Sequence, residues 1–414
     1  MSDFNFDKKI VRSGTGCVKW DEPYPGQQYA YDDKGSTAQG FIPLWVADMD
    51  FPVAPAIEEA VCRRSHHPVF GYTHVGDDYY EAIVSWFHRR HQWDILRKDI
   101  LYTTGVVPAI SVAIKALTMP GEKVVILSPD YNCFFSSVRN NGCEVLESPL
   151  KAVVAGSTLH FEVDWEDFES CCSDPKASVF LLCNPHNPTG RVWTREELLH
   201  MNAICLRHGV RAVSDEIHCE LVMPGHRFQP FASASEECRN NSVVLNSPSK
   251  SFNTAGLMTA NIICPDDSVR RRLERAININ EVCDLNPFGP IALIAAYNES
   301  EDWIDALNEY LYANFRELCR FIAERLPQCR VTTLEGTYLT WIDVSALLPM
   351  HTPNGSNICN VKQLCDHIMR ETNVWVNPGT MYGPQTGEGF IRINIACPRE
   401  RLMEGLKRIA SIFA

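Results

Sequence analysis

Three short polar segments between residues 184 and 253 hold the side chains best suited to chemistry. They are Asn184-Pro185-His186-Asn187-Pro188-Thr189-Gly190, Ser214-Asp215-Glu216-Ile217-His218 and Ser247-Pro248-Ser249-Lys250-Ser251-Phe252-Asn253. Each follows a largely apolar, β-branched run, Val179 to Cys183, Val210 to Val213 and Val243 to Leu245, that reads as a short buried strand. In open α/β sheets ligands bind beyond the carboxyl ends of the strands. An amide, a carboxylate and an amine are therefore expected to converge on one site.

That set of groups suits pyridoxal 5′-phosphate. The Lys250 amine can form an imine with the cofactor aldehyde, and a buried Asp215 can keep the pyridine nitrogen protonated, so that the ring withdraws electrons from a carbanion. Asn187 can donate to the ring oxygen O3′. Taken singly, Asp215 could cap a helix, Lys250 could be a solvated loop lysine, and Asn-Pro-Thr-Gly could be a turn. All three in this order favour the cofactor site.

The elements that must position these groups alternate in type. Ile100 to Thr104 reads as a strand, Gly105 as a tight turn and Val106 to Leu117 as a helix, with Pro108 tolerated in the first turn and Ile110, Ile114 and Leu117 facing the core. A helix N-terminus offers unpaired N–H groups and a positive dipole end, so Gly105, Val106 and Val107 are candidates to cradle the phosphate. Many purely structural strand-to-helix turns share this pattern. Ser247 could add its hydroxyl to the same phosphate. Val124 to Leu127 reads as a strand leading to Tyr131. Pro55 to Arg64, Asp77 to His91, Pro290 to Tyr297, Trp303 to Glu324 and Val361 to Glu371 read as helices. Phe41 to Val46 looks like a strand, Val331 to Val344 shows strand-like alternation, and Phe390 to Ile395 is a strand after a glycine-rich loop. Asp3 to Gly40 is polar and aperiodic, and is expected to be an arm lying over another surface.

With Trp45-Val46-Ala47-Asp48-Met49-Asp50-Phe51, Asp215-Glu216-Ile217-His218 and Phe390-Ile391-Arg392-Ile393-Asn394, the chain resembles the fold-type I pyridoxal phosphate enzymes of the aminotransferase class I and II superfamily. Within it, the resemblance is to the cystathionine β-lyases of the MalY/PatB type. It runs from about Ile10 to the C-terminus. The implied fold is α/β: a large domain with a mostly parallel seven-stranded sheet flanked by helices, plus a smaller α+β domain. The boundaries are an N-terminal arm and part of the small domain over 1–52, the cofactor-binding domain over 53–295 and the C-terminal small domain over 296–414. The resemblance assigns Arg392 to the substrate α-carboxylate, as arginine's planar fork allows. It stacks Tyr131 on the cofactor ring, sets Ala47 and Asp48 beside the substrate, and carries Tyr72 across to a neighbouring subunit's phosphate, implying a homodimer with shared active sites. A core tyrosine at 131 and simple turn-forming aspartates at 48 and 50 remain alternatives. His218 stands where many aminotransferases place a tyrosine against the ring oxygen, and Met258 where many have a phosphate-binding arginine. Both departures match the β-lyase branch, for which the implied reaction is release of a thiol, pyruvate and ammonia from cystathionine or a related cysteine conjugate. An aminotransferase and a regulatory protein acting through protein contacts are the rival readings.

Composition narrows the rest. With 414 residues, 45% hydrophobic and 21% charged, the chain can bury a large core. A formal charge of −13 disfavours nonspecific nucleic acid binding and adhesion to anionic membranes, and by itself points to no partner; the small amino acid substrate is what the resemblance implies. Seventeen cysteines without a Cys-x-x-Cys pair or a zinc-like spacing imply no metal and fit a reducing cytoplasm. Met1 to Lys9 lacks the apolar stretch of a secretory signal, and no run is long enough to span a bilayer.

Overall fold

Ala177–Cys183, Arg211–Asp215 and Ser242–Asn246 lie side by side as parallel strands whose residues are almost all buried. Burial on both faces is why they read as continuous apolar runs. The computed structural model describes residues 4–25, 40–156, 158–351, 355 and 357–413. In it these strands form the middle of a seven-stranded sheet, ordered Ile100–Thr103, Ala260–Ile263, Ser242–Asn246, Arg211–Asp215, Ala177–Cys183, Lys123–Ser128, Glu144–Pro149. Ala260–Ile263 is antiparallel to both neighbours and every other pair is parallel, so the mostly parallel seven-stranded sheet expected from the sequence is present.

Register brings the strand ends level. Cys183 pairs with Asp215, and Asp215 with Leu245. Past the strands, Asn184 N donates to Asp215 O at 2.9 Å and Glu216 N to Leu245 O at 2.8 Å, which keeps the three exits aligned. The Val106–Leu117 helix packs on this sheet with Val106, Ala109, Ile110, Val112, Ala113 and Ile114 buried, a wider apolar face than one stripe.

A second sheet holds six strands in the order Asn377–Pro378, Phe390–Asn394, Leu339–Asp343, Arg330–Thr332, Thr158–Glu162, Lys151–Ala155. Here the structure differs from expectation. The run from Val331 to Val344 is two strands, because Glu335 N and Gly336 N turn aside to donate to Gly190 O, both at 2.9 Å, and Thr337 takes a left-handed backbone with φ 70°. The hairpin of Lys151–Ala155 and Thr158–Glu162 falls inside the 53–295 interval, yet it joins this second sheet by pairing Thr158–Glu162 with Arg330–Thr332. The expected strand from Phe41 to Val46 shortens to Ile42–Pro43, parallel to Val374–Trp375. Beyond it the carbonyls of Trp45, Val46, Ala47 and Asp48 accept from side chains instead of a ladder.

The described part of the arm lies over other elements, as expected. Phe6 packs against Phe51 and Trp303 at 5.2 and 5.7 Å between ring centroids. Residues 26–39 of the arm fall outside the described residues. Asp48 and Asp50 do more than form a turn. Asp50, fully buried, lies 2.7 Å from Arg12, 3.3 Å from Lys19 and 2.9 Å from Arg401, while Asp48 lies 2.6 Å from Arg12. Burial alone would raise the Asp50 pKa, but Lys19, Arg401 and Arg12 outweigh it and hold it below the usual carboxylate range. Removing Asp50 leaves the buried Lys19 ammonium and the Arg12 guanidinium to share Asp48, at 3.5 and 2.6 Å, and takes from Arg401 its carboxylate at 2.9 Å. Asp50→Ala is expected to cost about 3–5 kcal/mol in urea unfolding. An unchanged midpoint would show that this cluster holds nothing in place.

Candidate active site

A cavity of about 250 Å³ opens at the carboxyl edge of the large sheet. Its walls bring together Ala47, Gly105, Val106, Val107, Tyr131, Asn187, Asp215, His218 and Lys250, nine of the residues singled out in the sequence. A larger hollow of about 710 Å³, lined by Trp45, Trp375 and part of the Val361–Thr372 helix, offers less chemistry, since its Lys362 and Asp366 already pair at 3.0 Å.

Asp215 ends its strand facing the cavity, and Ile217 N donates to its Oδ1 at 3.1 Å. Burial pushes its pKa up to about 7, against the opposing pull of that N–H and of Lys250. Glu216, next in the chain, instead accepts from Ser214 Oγ at 2.9 Å and Phe231 N at 2.8 Å and serves the protein interior. Lys250 donates to Ala47 O at 2.6 Å. Burial lowers its pKa, as does the charge of Arg392, while Asp48 and Asp215 oppose.

Arg392 stands one hydrogen bond behind the cavity wall, on the middle of strand Phe390–Asn394 of the second sheet. It donates through one terminal nitrogen to Asn187 Oδ1 at 3.2 Å and through the other to Trp45 O at 2.7 Å; its buried Nε has no partner among the described residues. The site thus lies between the two sheets. His218 is buried, and its Nδ1 also lacks a partner. Burial, reinforced by Lys250 and Arg392, drives its pKa well below the usual imidazole value, so the ring is neutral.

The helix opening the far wall begins at Val106, and its first backbone bond runs from Ala109 N to Gly105 O at 3.0 Å. Because residue 108 is proline, the amides of Gly105, Val106 and Val107 are the ones left without an intrahelical acceptor. Ser247 differs from expectation. Its hydroxyl bonds to Thr259 O at 2.7 Å and to Ser249 Oγ at 2.6 Å, and Ser249 takes the cavity wall in its place. Met258 lines the cavity with a left-handed backbone, φ 47°, and among the described residues Lys250 is the one cationic side chain on the wall. Tyr72 is 99% exposed and is not brought to the cavity of its own chain.

Sequence reasoning missed Ser249 and Tyr338. The Tyr338 hydroxyl donates to Ala47 O at 3.0 Å, sharing that carbonyl with Lys250, and its ring meets His218 edge-on at 5.9 Å. Ser249 was legible beside Lys250, but Tyr338 carries no local signal. Among the described residues one other cluster, His91, Cys219 and Glu220, has close donor atoms. Glu220 there is already consumed by His91 at 2.6 Å, Trp86 Nε1 at 2.7 Å and Arg90 at 3.3 Å.

The donor set fits pyridoxal 5′-phosphate: an amine of lowered pKa, a buried carboxyl, a helix N-terminus with free amides, and unpartnered polar atoms on His218 and Arg392. The sequence model of the aminotransferase class I and II family matches residues 40–409. The chain belongs to that family. Among its members, cystathionine β-lyase PatB of Bacillus subtilis (strain 168) is 39% identical over 98% of both chains. Protein MalY of Escherichia coli (strain K12) is 33% identical over 97% of each. Among solved structures, cystalysin from Treponema denticola, which contains a pyridoxal 5′-phosphate cofactor, superposes with a TM-score of 0.90 at 31% identity, covering 99% of this chain and 98% of that one. The pyridoxal-phosphate-bound C-S lyase from Staphylococcus hominis gives 0.86 at 30% identity, with the same coverage.

The raised Asp215 pKa has a consequence for stability. In the unfolded chain an aspartate titrates near 3.8, so without cofactor the folded form binds an extra proton between that value and about 7. Its stabilising contribution is complete below the unfolded pKa and is lost as pH rises through about 7. Without cofactor, Asp215→Asn is expected to flatten the fall of the thermal midpoint between about pH 4 and 7. Parallel curves for the two proteins would contradict the assignment.

Proposed function

We propose that this protein is a pyridoxal-phosphate-dependent carbon–sulfur β-lyase that, with one water, converts cystathionine or a related cysteine S-conjugate to a thiol, pyruvate and ammonia. The observation that carries the reading is the full-length likeness to a cystathionine β-lyase, in a chain whose Lys250 and Asp215 share one cavity. When bound, the cofactor supplies an electrophilic carbon and a ring that accepts the electron pair left at the substrate Cα.

In this reading Arg392 binds the α-carboxylate, with its unpartnered Nε directed to that task. Asn187 spends its carbonyl on Arg392, which leaves its amide N–H groups for the ring oxygen. Asp215 holds a proton at the ring nitrogen, and burial makes that pairing strong. Tyr131 covers the ring and excludes water. The neutral His218 does not compete with Arg392 for the carboxylate. Lys250, with its lowered pKa, takes the proton from Cα. The Cβ–S bond then breaks with its electron pair on sulfur. Lys250 returns its proton to that sulfur, and hydrolysis of the remaining unsaturated amine gives pyruvate and ammonia. Transamination would need Lys250 to return the proton to the cofactor instead; the names of PatB and cystathionine β-lyase relatives favour elimination.

The partner in this reading is a second copy of the chain. Val69, Phe70 and Tyr72 are 62%, 57% and 99% exposed, and among the described residues Lys250 is the one cationic side chain on the wall of the proposed phosphate site. A reducing cytoplasm is the proposed compartment, since all seventeen cysteines are free. No helix among the described residues is long and apolar enough to cross a membrane.

Purified protein with the cofactor and cystathionine is expected to release pyruvate stoichiometrically with thiol, and Lys250→Ala to lose at least about a thousandfold in kcat. Consumption of a 2-oxo acid without pyruvate release would instead make the enzyme an aminotransferase. For the shared site, Tyr72→Ala is expected to raise the cofactor Kd about tenfold in absorbance titrations. Mixing it with Lys250→Ala chains is expected to restore tight binding at hybrid sites. Monomers in sedimentation would exclude that arrangement.

A further inference from the structure

We infer that Tyr382 is a positioning residue for Arg392, fixing the plane in which that guanidinium meets a substrate carboxylate; this rests on the role proposed above for Arg392. The guanidinium carbon lies 4.6 Å from the centroid of the Tyr382 ring, so the face of the ring backs the arginine while its two terminal nitrogens bond to Asn187 and Trp45 O. Two hydrogen bonds from terminal nitrogens leave the guanidinium free to tilt about the line joining them. The ring removes that freedom.

Tyr382 is itself held from several sides. It is 1% exposed, and Trp341 meets it edge-on at 5.7 Å with the ring planes 89° apart. Its hydroxyl accepts from Asn377 Nδ2 at 3.0 Å, and Asn377 Nδ2 also donates to Trp45 O at 3.1 Å, the carbonyl that Arg392 uses. The hydroxyl therefore steadies one acceptor of the arginine while the ring steadies its plane. The loop that carries Tyr382 is packed too tightly to place it elsewhere. A Cβ at Gly379 would collide with Gly387 O and with the Trp341 ring, and one at Gly387 with Gly379 O. On its other side the Tyr382 carbonyl accepts from Asp130 N at 2.7 Å, and Asp130 Oδ1 accepts from Tyr131 N at 2.7 Å. One buried tyrosine thus links the wall expected to cover the cofactor ring with the group expected to hold the carboxylate.

The test uses the cofactor-loaded protein and two probes read from the cofactor absorption band: L-alanine, which carries an α-carboxylate, and ethylamine, which does not. Tyr382→Leu is expected to raise the alanine Kd and the KM for the S-conjugate about tenfold, leaving the ethylamine Kd, the cofactor band and kcat within about threefold. Tyr382→Phe keeps the ring and loses the hydroxyl, and is expected to raise the alanine Kd about threefold with ethylamine unmoved. Equal weakening of both probes, or an unmoved alanine Kd, overturns the inference, and if the leucine variant does not fold the phenylalanine variant decides it alone. Wild-type protein that binds both probes but releases no pyruvate overturns the lyase reading and leaves the Tyr382 comparison standing. Wild-type protein with no cofactor band overturns both.

Discussion

Hydrogen-bonded register among the strands Ala177–Cys183, Arg211–Asp215 and Ser242–Asn246 is the constraint on which the site depends. Parallel strands buried on both faces must satisfy every backbone polar group within the ladder, so their ends are aligned to within a residue. The alignment places Asp215 at the last rung, where its backbone is still inside the sheet and its buried carboxyl faces the cavity. A carboxyl so placed costs free energy when ionised, and the sheet tolerates it because a lysine on the adjoining strand exit and the Ile217 N–H lie within reach. Strain and binding capacity have the same origin here: the burial that lifts the Asp215 pKa would also strengthen its pairing with any cation that enters the cavity.

The second dependence is the segment Trp45 to Asp48, which acts as a seam between the sheets. Its four carbonyls accept from Arg392, Asn377, Asn394, Lys250, Tyr338 and Lys19, side chains drawn from both sheets and from the N-terminal segment. A bent segment without a ladder partner would otherwise bury unpaired carbonyls. The seam therefore couples Lys250, at the cavity wall, to Arg392, on the second sheet. A movement of the second sheet that displaced Arg392 would also disturb the carbonyl held by Lys250, two residues along. The buried cluster of Asp50 with Lys19, Arg12 and Arg401 anchors one end of this seam.

Much of the architecture was legible because it rests on local signals. β-branched runs ending in polar loops marked the parallel strands, and apolar spacing marked the Val106–Leu117 helix to the residue. Reading failed where tertiary contacts override pattern. Val331 to Val344 alternates like one strand, yet its middle is drawn off by Gly190 O. The hairpin from Lys151 to Glu162 carries no mark of the sheet it joins, because edge pairing depends on what stands beside it. Ser247 and Ser249 are indistinguishable by type and spacing; only the direction of the chain past Asn246 turns one toward Thr259 O and the other toward the cavity.

By itself the sequence determined the inventory: an amine, an acid, an amide and an arginine, each at the mouth of, or within, a strand whose apolar character is written in its own residues. Chain-local chemistry suffices for that, since strand propensity and turn residues act over a few positions. The tertiary structure alone decided the rest: that Arg392 reaches Asn187 across 205 positions of chain, that Tyr338 shares a carbonyl with Lys250, and that the ring of Tyr382 backs the arginine. Those contacts join two sheets, and their geometry follows from how the sheets pack, a property that no short stretch of sequence contains.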